Sequence, residues 1–203
     1  MTSKDLSIYI SNFFRYVEVN KVELYNEYSL QHELGIFLRK QCVNYSIQFE
    51  RNASFFGVSS PTIKKEIDIV VYNNYERFAV ELKFPRNGAY PISMFQFIED
   101  ICFINELKNN GFTGGCTVVL VDDMNYCSTH GINNKQLTNK GIYGYFRDNN
   151  PITGVISSPK KNNKTCQLNG SYFAIWQSTK IWDKSNVTSS INLKPAQYYI
   201  IEI

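Results

Sequence analysis

The sequence predicts an α/β (α+β) protein: a central mixed β-sheet flanked by helices, followed by a β-rich C-terminal extension. Three observations predict it. Residues 63–72 and 77–84 are runs dominated by Val, Ile, Tyr and Phe, parted by Asn73-Asn74-Tyr75-Glu76, and so read as a β-hairpin. Residues 77–84, 93–109 and 116–121 read strand, helix, strand, a crossover unit that sets two strands parallel. The first 42 residues carry two helical stripes.

Taken in order, Leu6, Ile10, Phe13 and Val17 form one helical face over residues 4–19, with Ser3 as its cap. Leu30, Leu34, Phe37 and Leu38 form a second over 26–42, and Glu33 borders that stripe. Residues 44–56 alternate Tyr45, Ile47, Phe49 and read as a strand, with a loop at Gly57–Pro61. Within the hairpin, Asn is expected to supply the positive φ of a tight turn. After the loop 85–91, Ser93 opens a helix whose Ser93-x-x-Gln96 is a capping box, and Gly111 stops it. Its apolar residues lie on more than one side, which suits a helix held between a sheet and another element. Cys116–Val121 is a continuous apolar run, expected to be covered on both faces, and Asp122-Asp123 end it as turn residues. Residues 125–150 are turn-rich and fit a substrate-facing loop or an ordinary surface excursion. Strands are expected at 152–156, 165–177 and 197–203, with Lys160-Lys161-Asn162-Asn163-Lys164 as a basic hairpin tip that is solvated or touches phosphates.

A chain of 203 residues is expected to form a single domain, and 43% hydrophobic with 19% charged residues is a globular composition. The net charge of +3 permits nucleic-acid binding without arguing for it. Five cysteines with no Cys-x-x-Cys pair exclude a regular disulfide framework and suggest a reducing, cytoplasmic setting. Cys116, Cys127 and His130 match no closed zinc set. The opening MTSKDLSIYISNFF lacks the pattern of a signal peptide, and no apolar run is long enough to span a membrane. The sequons at Asn163 and Asn186 then carry no meaning.

The hairpin carries the chemistry. Closed symmetrically about Asn74-Tyr75, it places Asp68 opposite Glu81 and Glu66 opposite Lys83. Glu66, Asp68, Glu81 and Lys83 then share one face, with Ile67, Ile69, Val71, Val80, Leu82 and Phe84 on the other. Two facing carboxylates repel unless a cation sits between them, and hard oxygen donors suit Mg²⁺ or Mn²⁺. An adjacent lysine completes equipment for metal-assisted phosphodiester hydrolysis. The same four residues also fit a solvated face of mixed charge.

The order of helix with Glu33, strand, hairpin with Asp68 and Glu81-Leu82-Lys83, helix with Gln96, and strand resembles the PD-(D/E)XK nuclease superfamily. The resemblance covers about residues 26–121 and implies an αβββαβ restriction-endonuclease-like core, with 122–203 as a loop and β-rich extension. Ile67 stands where the name-giving pattern has Pro. The resemblance implies that Asp68, Glu81 and the Leu82 carbonyl hold Mg²⁺. Lys83 would position the attacking water and stabilise charge on the phosphate, Glu33 would reach the site from its helix as a further metal ligand or through water, and Gln96 would lie beside it. It implies a nuclease acting on nucleic acid, DNA first, with a homodimer as one arrangement. Two alternatives stand beside it: a catalytically inactive module of the same fold that binds nucleic acid or protein, and a small-molecule role for Trp176 and Trp182 as stacking platforms.

Overall fold

The computed structural model describes residues 1–59, 63–86, 88–128, 141–160, 164–183 and 192–203. Helix α1 (Ser3–Asn20) begins at Thr2, whose hydroxyl accepts from the Asp5 amide while the Asp5 carboxylate accepts from the Thr2 amide. Ser3, expected to be the cap, instead donates to the Ile203 carbonyl at 2.9 Å. Helix α2 (Glu27–Gln41) is capped reciprocally by Asn26 and Ser29.

Strands β1 (Ser46–Asn52), β2 (Glu66–Tyr72), β3 (Arg77–Lys83) and β4 (Gly114–Val121) follow, with α3 (Tyr90–Asn109) crossing between the last two. The chain continues through α4 (Ile142–Arg147), β5 (Ile152–Ser157), β6 (Thr165–Tyr172), β7 (Gln177–Asp183) and β8 (Asn192–Glu202). Six strands form one mixed sheet in the order β1-β2-β3-β4-β8-β7, and β5 pairs with β6 in a second, small sheet. Within the large sheet β3 and β4 pair in parallel, as their helical crossover requires, and the other described strand pairs are antiparallel.

Two apolar clusters fill the two faces of the large sheet. One packs α1 and α2 onto Ile69, Val71, Phe78, Val80 and Leu82. The other packs α3, α4 and the β5–β6 hairpin onto Val70, Ala79, Val119 and Tyr199. All eight residues of β4 are buried, as a strand covered on both sides must be. Gly35 of α2 permits the close packing on that side, because a Cβ there would lie 2.1 Å from the Phe49 ring.

Several expected boundaries move. Helix α3 starts at Tyr90, three residues before Ser93, with Pro91 in its first turn, where its missing amide costs nothing. Ser93 is therefore buried inside the helix and caps nothing, so the Ser93/Gln96 capping box does not form. At the other end Gly111 takes φ +96 and lets the Phe112 amide return to the Leu107 carbonyl. The strand expected over 44–56 stops at Asn52 and turns into a 3-10 segment at Ala53–Phe56. The run 165–177 is divided between β6 and β7, and β8 extends back to Asn192. Ile67 joins the α3-side cluster while Ile69 faces α2, so the alternation expected along β2 breaks beside Glu50, whose φ is +47.

Part of the 125–150 stretch is anything but a surface excursion: Phe146 is fully buried against Phe97 and Tyr199. Residues 129–140 of that stretch, His130 among them, lie outside the described residues, as do Lys161–Asn163 and Asn186. Both tryptophans are tied into the fold. Trp176 donates to the Phe146 carbonyl and packs on Tyr199, and Trp182 donates to the Glu18 carbonyl. All five cysteines are free. Among the described residues no helix is long and apolar enough to cross a membrane.

Candidate functional site

The β2–β3 hairpin closes in the expected register, with Tyr72 paired to Arg77, Val70 to Ala79 and Ile69 to Val80. The turn is made differently from expectation. Asn73 does not take positive φ; its side-chain oxygen accepts from the Tyr75 and Glu76 amides at 2.8 and 2.9 Å. One residue beyond the paired ladder, the same register sets Asp68 opposite Glu81. Here the Asp68 carboxylate takes the Leu82 amide at 2.7 Å, so the side chain is fixed by its neighbour strand.

Glu81 is completely buried, and neither of its oxygens accepts a hydrogen bond of good geometry from the described residues. Its contact is an ion pair with Lys64, a residue just before β2. Lys64 Nζ also lies 3.0 Å from Asp100 Oδ1 and 3.9 Å from Asp68 Oδ1. Lys83 Nζ lies 3.3 Å from the other Asp100 oxygen and 3.6 Å from Glu27 Oε1, and donates to the Leu82 carbonyl at 2.8 Å. Glu27, at the start of α2, accepts the Phe84 amide at 3.0 Å. The Gln31 amide one turn later donates to the Asp68 carbonyl at 2.8 Å.

Four carboxylates (Glu27, Asp68, Glu81, Asp100) thus face two ammonium groups (Lys64, Lys83). When all are ionised, two negative charges are left over. Burial pushes Glu81 well above the ordinary glutamate range, with the Asp68 charge adding to it. Burial likewise raises Asp68 and Glu27. Burial works against charge on Lys64 and Lys83 too, yet the facing carboxylates outweigh it, Glu81 first for Lys64 and Asp100 first for Lys83. Both lysines are held above their ordinary range. The directions agree with each other, since cations among excess anions are stabilised and the anions in excess are not.

Of the residues expected at the site, Asp68, Glu81, Leu82 and Lys83 come together. Gln96 is exposed on α3 and lines a cleft of about 270 Å³ with Glu27, Lys83, Arg86 and Ser93. Glu33 does not arrive. It is two residues beyond Gln31, about 200° further round α2, and its partner is the adjacent His32 at 3.7 Å. Glu27 takes the place assigned to it. Glu66 is exposed, and the paired β2–β3 ladder ends at Ile69 and Val80, so the expected Glu66–Lys83 pair is not part of it. A cavity of about 460 Å³ lies further along α3 beside β6 and includes none of the clustered acids.

The sequence held signals for the residues that were missed. Asp100 is a lone acid on the sheet-facing side of an apolar helix, three residues after Phe97 and four before Ile104. Lys64 shares the period-two parity of Asp68 and stands four residues before it.

Comparison with family models, curated proteins and solved structures returned no match.

Among the described residues no three His, Cys, Asp or Glu side chains are disposed to hold a metal ion as they stand, and the Lys64 ammonium lies among the acids. The donor chemistry nonetheless fits Mg²⁺ or Mn²⁺. Asp68 and Glu81 are hard oxygen donors, such ions are commonly held by one or two carboxylates, and the surplus of two negative charges equals the charge of one divalent ion.

Proposed function

We propose that this chain is a metal-dependent nuclease that hydrolyses phosphodiester bonds, DNA being the first substrate to test, and that it belongs with the PD-(D/E)XK nucleases. The observation that carries the reading is the juxtaposition of Asp68 with Glu81 across adjacent strands, with Lys83 two residues on and, when every group is ionised, two negative charges unbalanced. The order α2, β1, β2, β3, α3, β4 and the mixed sheet support it, because they follow the αβββαβ arrangement that the resemblance implies.

Asp68 and Glu81 would hold the ion, with the Leu82 carbonyl beside them. Bound there, a divalent ion supplies an activated water and neutralises charge on the phosphate. Asp68 is oriented by the Leu82 amide, and Gln31 pins the strand beneath it. Glu27 and Asp100 hold the Lys83 ammonium between them, aimed at the cleft that Gln96 borders. A cation so placed positions a water and stabilises negative charge developing on a phosphate oxygen.

The test is cleavage of labelled single- and double-stranded DNA in Mg²⁺ or Mn²⁺. Asp68→Asn and Lys83→Met keep the shape of each side chain and should each lower the rate by about 10²-fold or more. If both variants cut as well as the parent chain, the assignment is wrong.

One observation favours the second reading, an inactive module of the same fold that binds nucleic acid or protein: Lys64 already answers Glu81 and Asp100. Calorimetric titration with Mn²⁺ separates the two. The nuclease binds the ion in a manner abolished by Asp68→Asn, and the module does not bind it.

A further inference from the structure

We propose that the cleft between α3 and the β5–β6 hairpin binds a phosphate of the nucleic-acid strand next to the one being cut, with Lys160 and Lys164 as its cations. The inference rests on the nuclease reading and extends it to a part of the chain outside the αβββαβ core. Two clefts meet at Gln96. One runs past Lys83 and Glu27, and the other, of about 210 Å³, is lined by Glu99, Ser158, Lys160 and Lys164. Gln96 and Glu99 are one turn apart on α3, about 4.5 Å along its axis. Because the two clefts share Gln96, a strand seated at Lys83 has a continuous path into the second one.

The hairpin is held in place to receive them. Ile152, Ile156, Cys166 and Leu168 are buried against the α3 side of the sheet, and the Tyr172 hydroxyl donates to Asn105 of α3 at 2.9 Å. Close to the tip, the Lys160 amide donates to the Ser158 hydroxyl at 3.2 Å. Lys160 is exposed, and among the described residues no carboxylate pairs with it. Lys164 pairs with Glu99 on the cleft wall while its side chain remains half exposed. A phosphodiester oxygen is the anion that fits: it recurs at fixed spacing from the cut, and it needs cations rather than a shaped pocket.

The experiment is fluorescence anisotropy of a labelled oligonucleotide with the full chain in EDTA, where metal-dependent cutting is stopped, across a salt series. The double variant Lys160→Glu/Lys164→Glu should bind at least about tenfold more weakly at low salt. Its log–log salt slope should fall by about two for duplex, close to one per lost phosphate contact. Lys160→Ala, which breaks no ion pair among the described residues, should lower the slope by about one even if the double variant melts early. Lys40→Glu, an exposed charge on α2 of the same sign, should leave the slope unchanged. Equal slopes in the parent chain and both hairpin variants overturn the proposal, as does an equal fall with Lys40→Glu or an absence of binding at low salt. Cleavage by the parent chain with unaltered hairpin-variant binding sinks this inference alone. Hairpin-dependent binding without cleavage in Mg²⁺ or Mn²⁺ sinks the nuclease reading alone.

Discussion

Lys64→Met removes the ammonium that faces Glu81, Asp100 and Asp68 and leaves a side chain long enough to fill its space. Glu81 is fully buried and the Asp100 side chain is 5% exposed, so water cannot replace the lost cation. Breaking a buried ion pair by removing one partner costs about 3–5 kcal/mol. Lys64 is 28% exposed and Lys83 stays on Asp100, which places the expected cost near the lower end. For a chain of this size, about 3 kcal/mol lowers Tm by about 6–12 °C. The variant then has four carboxylates against one ammonium, so it should gain more from a divalent ion than the parent chain does. An ion at a hundredfold excess over its Kd contributes about 2.7 kcal/mol. The assay is urea unfolding of parent and variant, first in EDTA and then in excess Mn²⁺. The reasoning fails if the variant loses less than about 1 kcal/mol in EDTA, or if Mn²⁺ stabilises both chains equally.

Two further outcomes follow from buried polar groups. Glu81, Asp68 and Glu27 have folded pKa values raised by burial, so the folded state holds their protons more tightly than the unfolded chain does. Stability is then greatest below the ordinary glutamate value of 4.5 as far as these groups are concerned, and falls as pH rises from there toward neutrality. Glu81→Gln should be more stable than the parent chain by a margin that widens over that range in urea titrations without metal; parallel curves would contradict it. Tyr199 is fully buried on the α3 side, and its hydroxyl has no hydrogen-bond partner among the described residues. Tyr199→Phe should therefore raise stability by about 1 kcal/mol, a gain of about 2–4 °C in Tm, whereas a comparable loss would reveal a buried partner for the hydroxyl.

The hairpin register was legible because two period-two runs flank a short turn, and a two-sided strand pair tolerates no slip. That alone placed Asp68 opposite Glu81 and Lys83 on the same face. The buried β4 was legible from its unbroken apolar run. The helical contribution was not. Both Glu27 and Glu33 lie on α2, and only the docking angle of that helix, set by Gly35 against Phe49, decides which one reaches β3. Asp100 and Lys64 were hidden for a similar reason. Each belongs to the site through a contact between elements distant in sequence, which periodicity within one element does not reveal. The start of α3 was misplaced because Pro91 reads as a breaker when it is in fact a first-turn residue. The division of residues 165–183 into β6 and β7, in different sheets, had no marker in the local pattern.

Anomalous diffraction from crystals grown in Mn²⁺ locates the ion directly. The account predicts a peak bonded to carboxylate oxygens of both Asp68 and Glu81, with the Lys64 ammonium drawn away from Glu81. A map with no peak there, and Lys64 still seated on Glu81 in saturating Mn²⁺, would contradict it.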